Sequence, residues 1–153
     1  MKKRLILVIF LVFFVDLLSK FLIFKYISYG SSKIIIKDFF AIVPVKNTGA
    51  AFSILNDSKV LLILISLSVL IYLIYLSIKQ KMNKTNFITY GLLIGGLLGN
   101  LFDRLFLSYV RDFFSFNIFG YDFAIFNVAD IAIVIGAMLL FISMFKGSRS
   151  YEN

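Results

Sequence analysis

The sequence predicts an all-α membrane protein with a small β element: four transmembrane helices, both termini cytoplasmic, and a β-rich extracytoplasmic loop between helices one and two. Three observations predict it. Of the 153 residues, 61% are hydrophobic and only 16% charged, whereas surface-to-volume scaling leaves about a third of a small soluble domain exposed. The apolar residues fall in four stretches, about 5–24, 60–78, 87–106 and 126–145, each near the roughly 20 residues that cross about 30 Å of hydrocarbon. Basic residues cap one side of all four: Lys2-Lys3-Arg4 at the start, Lys79, Lys81 and Lys84 between spans two and three, and Lys146 and Arg149 after span four. The positive-inside rule puts these clusters in the cytoplasm.

The first span follows a basic segment as a cleaved leader would. Its apolar stretch is too long for one, Asp16 and Lys20 interrupt it, and no small-x-small site follows, so it is expected to be permanent. Asp16 and Lys20 lie four apart on one helical face, where each lowers the cost of the other in lipid. The loop from Lys25 to Lys59 carries five dispersed lysines, Lys25, Lys33, Lys37, Lys46 and Lys59, together with Pro44, the only proline. Its β-branched and aromatic runs, Lys33 to Lys37 and Phe39 to Val43, flank a break at Asp38 and predict a strand or hairpin lying on the headgroups.

Span three has Gly91, Gly95 and Gly99 at intervals of four, a stripe that lets a second helix approach closely. Gly96, Asn100, Asp103 and Arg104 follow at spacings of three and four and predict a hydrogen-bonding cluster near the outer face. The segment from Leu107 to Ile125 is dense in phenylalanine and tyrosine, which suits a membrane interface, with a turn at Asn117 and Gly120. Span four holds Asp130 about four residues in, roughly 6 Å below its start at 1.5 Å per residue. No boundary, repeat or low-complexity tract divides the chain, so residues 1–153 form one integral-membrane domain. The net charge of +8 fits anchoring to the cytoplasmic leaflet rather than nucleic-acid binding, because no basic stretch is long or interleaved enough.

With no cysteine and no histidine, disulfides, thiolate catalysis, Ser-His and Cys-His pairs and histidine-ligated zinc are excluded. Carboxylates, hydroxyls and lysines remain. An ionisable residue at membrane depth is a functional-site hypothesis by default, and Asp112 and Asp130 both lie at the outer ends of spans three and four. If antiparallel packing brings them together, two carboxylates about 3 Å apart cannot both ionise, and a shared proton makes one a base on water and the other an acid to a scissile carbonyl. Spacing alone leaves three other readings open. In the first, Asp130 is only a helix cap and Asp112 a solvated loop charge. In the second, Asp16, Asp103 and Asp130 form a proton or cation path in a small transporter or channel subunit. In the third, the glycine stripe binds a partner in a structural scaffold.

Five ordered strings then carry a resemblance. They are Asp16-Leu17-Leu18-Ser19-Lys20, Lys46-Asn47-Thr48-Gly49-Ala50-Ala51-Phe52, Gly99-Asn100-Leu101-Phe102-Asp103-Arg104, Val110-Arg111-Asp112-Phe113 and Phe126-Asn127-Val128-Ala129-Asp130. In this order across four spans, the chain resembles the lipoprotein signal peptidases (signal peptidase II), bacterial membrane aspartic peptidases acting on diacylglyceryl-modified prolipoproteins. The resemblance implies an endopeptidase that cuts before the lipidated cysteine, works as a monomer, and needs neither metal nor other cofactor. Its partners would be lipid-modified prolipoproteins and membrane lipids, with no nucleic acid, and it would work at the extracytoplasmic face of the bacterial cytoplasmic membrane. It makes Asp112 and Asp130 the catalytic dyad. Asn47, Asn100, Arg104 and Asn127 would line the substrate cleft, with Asp103 in the same polar cluster, Asp16 and Lys20 would support the fold beneath it, and Gly96 would give the substrate room. Two positions depart from the family pattern. Lys46 stands where an arginine is usual, which loses a planar fork, and Arg111 stands where an aliphatic residue is usual, beside Asp112, whose pKa it is expected to lower unless it points to the headgroups.

Overall fold

Four long helices and a small sheet make up the computed structural model, which describes residues 2–49, 58–80 and 83–148. The order is α1 (Lys2–Tyr26), β1 (Lys33–Ile36), β2 (Phe40–Asn47), α2 (Lys59–Lys79), α3 (Lys84–Leu107), β3 (Val110–Ile118), β4 (Tyr121–Asp122) and α4 (Val128–Ser148). Ala50, Ala51 and Phe52 of the second string, and Lys81 and Arg149 of the basic caps, lie outside the described residues. By length and apolar composition Lys2–Tyr26, Lys59–Lys79 and Thr85–Leu107 can each cross a membrane, and the apolar part of α4, Val128–Ser143, is shorter. Large apolar side chains such as Phe10, Phe14, Leu64, Ile71, Val134 and Phe141 stand exposed on the outside of the bundle. Hydrocarbon rather than water suits that surface.

Helix α3 is central, because its residues are the ones small enough to be approached. Gly91, Gly95 and Gly99 face Val8, Val12 and Asp16 of α1, so stripes of equal spacing run side by side on two parallel helices. Two positions belonging to α3 turn the other way: Gly96 meets Ala129 and Ile133, and Leu93 packs on Gly136, which seats antiparallel α4. The stripe is thus used inside the chain, which removes the scaffold reading in which a partner covers it. The space Gly96 provides is likewise filled by the α4 backbone, since a Cβ there would lie 2.6 Å from the Ala129 carbonyl oxygen. It is room for helix packing rather than the substrate room that the resemblance implied. At Gly95 a Cβ would lie 2.8 Å from Val12 Cβ and 3.0 Å from the Ile9 carbonyl oxygen. Gly95→Leu is therefore expected to pry α1 from α3 and destabilise the protein by about 1–3 kcal/mol or more, measured as a fall in thermal unfolding midpoint in detergent. An unchanged midpoint would mean that the two helices are not packed this closely.

The sheet is antiparallel in the order β1-β2-β3-β4. The expected hairpin is present, turning at Asp38, which holds a left-handed φ of 56°. Between Ile42 and Val45 the β2–β3 register shifts, and the shift falls at Val43-Pro44, where proline has no N–H for the ladder. Beyond the bulge Val45 pairs with Asp112, Lys46 with Arg111 and Asn47 with Val110. The aromatic second segment is β3 turning at Phe119 and Gly120 into β4.

Span four starts later than its apolar run. Phe126 is committed to a β-bridge with Phe114, through Phe114 N to Phe126 O at 2.8 Å and Phe126 N to Phe114 O at 3.2 Å. Asn127 is then the cap and Val128 the first helical residue. Asp130 accordingly lies in the first turn of α4 rather than one turn down.

Candidate active site

A reciprocal cap opens α4. Asn127 Oδ1 accepts from Asp130 N at 3.0 Å and Asp130 Oδ2 accepts from Asn127 N at 3.1 Å, a capping box that satisfies two of the N–H groups a helix start leaves free. Asp16 Oδ1 of α1 takes a third, Ala129 N, at 2.9 Å. Asp130 is thus a helix cap, and it is more than that. Its other oxygen, Oδ1, accepts from Asn100 Nδ2 at 2.7 Å and turns toward a cavity of about 480 Å³.

Asp112 opens into the same cavity from β3. Alternation along the strand sends Val110 and Asp112 to one face and Arg111 to the other. Asn47, diagonal to Asp112 across the β2–β3 pair, donates Nδ2 to its Oδ2 at 2.8 Å, and Asn127 donates Nδ2 to its Oδ1 at 2.6 Å. Asn127 therefore touches both carboxyl groups, one through its side chain and one through its backbone, and its Nδ2 also reaches Asn100 Oδ1 at 3.1 Å. Burial, first, and the charge of Asp130, second, push the Asp112 carboxyl up to about 7. The amides of Asn47 and Asn127 and the charge of Lys20 act in the opposite direction without cancelling that rise.

Arg104 lines the cavity and donates Nη2 to the Gly49 carbonyl at 3.3 Å. Apolar residues make the rest of the wall, with Phe123 to Phe126 on one side and Ile131, Val134 and Ile135 of α4 on another. Those three α4 residues are also exposed on the outside of the bundle, so the cavity opens sideways along α4.

The structure brings Asn47, Asn100, Arg104, Asp112, Asn127 and Asp130 together, with Asp16 and Lys20 beneath them; Asn127, expected to line the cleft, is instead fully buried behind the two carboxyl groups and does not line the cavity. Asp103 parts from the expected cluster. It turns away from the cavity to Arg111, with Nη2 to Oδ1 at 2.7 Å, and to Lys20 at 3.4 Å. Arg111 consequently makes no direct contact with Asp112, because its guanidinium is taken up by Asp103. Lys46, its cross-strand partner, stands 5.1 Å over the ring centroids of both Tyr29 and Tyr109, a pair of cation–π contacts in place of a bidentate fork. Sequence reasoning misses the apolar wall. That wall is set by the Phe114–Phe126 bridge, which brings Phe123 to Phe126 beside α4 and has no local sequence pattern to announce it.

The transporter reading loses its path here: Asp16 and Asp103 are fully buried and engaged by Lys20 and Arg111. A family model described as signal peptidase (SPase) II matches residues 8–146. A lipoprotein signal peptidase of Caldanaerobacter subterraneus subsp. tengcongensis is 41% identical over 143 residues, 93% of this chain and 97% of the relative. One from Staphylococcus aureus is 37% identical over 146 residues, 95% of this chain and 89% of that protein. Two solved structures are similar. A bacterial membrane enzyme determined by the in meso method at 2.3 Å superposes with a TM-score of 0.88 at 36% identity, covering 94% of this chain and 88% of that one. A second, at 1.9 Å, gives 0.84 at 37% identity over 93% and 92%.

Proposed function

The chain belongs to the signal peptidase II family, and from that membership we propose that it is an intramembrane aspartic endopeptidase that removes the signal peptide from diacylglyceryl-modified prolipoproteins, cutting before the lipidated cysteine. One observation carries the reading: Asp112 and Asp130 open into a single apolar-walled cavity and are bridged by Asn127. The cavity sits at the end of the bundle opposite Lys2, Lys3, Arg4 and Lys79, which fits an extracytoplasmic site and cytoplasmic termini. Its sideways opening suits a substrate that arrives as a helix within the bilayer, its acyl chains staying in lipid.

The chemistry follows from the proton held at Asp112. Water adds to the scissile carbonyl carbon, Asp130 takes a proton from that water, and Asp112 delivers its own to the carbonyl oxygen. Collapse of the tetrahedral diol breaks the C–N bond as a proton passes to the leaving amine. In an apolar-walled cavity the amides of Asn47 and Asn100 and the Arg104 guanidinium, which line it, act on developing charge at low dielectric, where such interactions are strong.

The sign of the pH dependence is fixed by that assignment. A carboxyl raised to about 7 is protonated below that value and loses its proton above it, so kcat/KM should decline about tenfold per pH unit above neutrality. A profile that stays flat well into the alkaline range would remove Asp112 as the acid. The reaction itself is tested by incubating purified protein with a diacylglyceryl-modified precursor peptide and its unlipidated twin. Cleavage of the first alone supports both reaction and substrate class; cleavage of neither overturns the reading.

A further inference from the structure

Below the dyad four charged side chains meet. Asp16, Lys20 and Asp103 are fully buried, and Arg111 has only 13% of its side chain exposed. Lys20 Nζ lies 2.7 Å from Asp16 Oδ2 and 3.0 Å from Asn100 Oδ1, but 3.4 Å from Asp103 Oδ2. Asp103 is served instead by Arg111: Nη2 at 2.7 Å, Nε at 3.2 Å from each oxygen, and the backbone N of the same residue at 3.0 Å. The guanidinium fork saturates that carboxylate as a lysine could not. Lys46, the cation next to Arg111 across the strands, is held over two tyrosine rings.

The orientation of Asn100 depends on this division of labour. With its Oδ1 accepting from the Lys20 ammonium and from Asn127 Nδ2, its Nδ2 is left to face Asp130 Oδ1. A reversed amide would set two N–H donors against an ammonium. If Asp103 competed for Lys20, the ammonium would move off Asn100 and the amide would lose what fixes it.

We propose that Arg111 is a positioning residue for the dyad: by taking up Asp103 it frees Lys20 to orient the Asn100 amide, and through it the Asp130 carboxylate. The inference rests on the reading of Asp112 and Asp130 as catalytic. Arg111 points away from the cavity and touches neither substrate nor reacting atoms. Its influence is electrostatic and reaches Asp130 through three intervening residues, Asp103, Lys20 and Asn100.

The test is a set of pH profiles of kcat/KM on the lipidated peptide in the wild type, Arg111→Leu, Arg111→Lys and the double variant Arg111→Leu/Asp103→Asn. The groups facing Asp112 are Asp130 ahead on α4, Asn127 at its cap, Asn47 on β2, Arg104 on α3 and Lys20 on α1, with Asp103 behind Lys20. Arg111→Leu adds one uncompensated negative charge to this set. It is expected to lower kcat on the order of 10²-fold, the loss typical of a misplaced catalytic group, and to move the alkaline limb upward by about one pH unit. Arg111→Lys should fall between. The double variant removes the excess charge, so the ammonium returns to Asn100; rate recovers by about tenfold or more over the single variant, a good part of that loss, and the limb moves back.

A merely structural brace predicts otherwise, because the double variant lacks the clamp as completely as the single one. An unchanged Arg111→Leu, or a double variant no better than the single, overturns the proposal. Should Arg111→Leu fail to fold, the double variant decides alone: folded and active supports the inference, while folded and inactive, or unfolded, overturns it. Wild-type cleavage together with a dead Asp112→Asn keeps the dyad reading separate from this outcome.

Discussion

Replacing Asp112 or Asp130 with asparagine should lower cleavage of a lipidated precursor by roughly 10³- to 10⁴-fold, because an amide neither gives a proton to a carbonyl nor takes one from water. Such a loss equals about 4–5.5 kcal/mol in activation free energy. The structural cost is smaller. In Asp112→Asn the new amide would turn its N–H₂ toward the Nδ2 of Asn47 or of Asn127, and in Asp130→Asn the one remaining oxygen would serve either Asn100 or the cap. A hydrogen bond or a cap lost in this way is worth about 1–2 kcal/mol. Both variants should therefore insert, purify and unfold near the wild-type temperature while turnover disappears. Turnover within about tenfold of wild type in either variant, well short of the loss expected of a missing acid or base, would remove that residue from the chemistry.

Lys20→Met carries the largest expected effect on stability. The ammonium is fully buried, 2.7 Å from Asp16 and 3.4 Å from Asp103, and donates to Asn100. Removing one member of a buried ion pair strands the other, at about 3–5 kcal/mol, whereas removing both is often close to neutral. Lys20→Met should lower the thermal midpoint far more than Lys20→Met/Asp16→Asn, even though the double variant loses more polar contacts. Equal midpoints for the two would show that the charges are not desolvated enough to matter.

Legibility in the sequence depends on the range of the interaction. The Asp16–Lys20 pair, the hairpin about Asp38 and the glycine stripe are set by spacings of one helical turn or one strand, and each can be read directly. The partner of the stripe cannot, because choosing α1 over a second chain depends on Val8 and Val12 presenting the matching ridge. β3 reads as interfacial aromatics, since its strand character comes from pairing with β2, 65 residues away for the Asn47–Asp112 contact. Hydrophobicity misplaces the start of α4: Phe126 extends the apolar run, but its backbone serves a β-bridge. The Asn127-x-x-Asp130 spacing is itself a cap signature that corrects the boundary. Of the polar cluster on α3, Asn100 and Arg104 turn to the cavity and Asp103 does not, a division decided by Arg111 on a strand whose register no local pattern specifies.

The mouth of the cavity along Ile131, Val134 and Ile135 has a kinetic consequence. On the proposed entry of substrate from hydrocarbon, enzyme and substrate meet in two dimensions, so encounter frequency would follow the mole fraction of substrate in the film or micelle rather than its molarity in the tube. Extra detergent dilutes the reactants even when every bulk concentration is held constant.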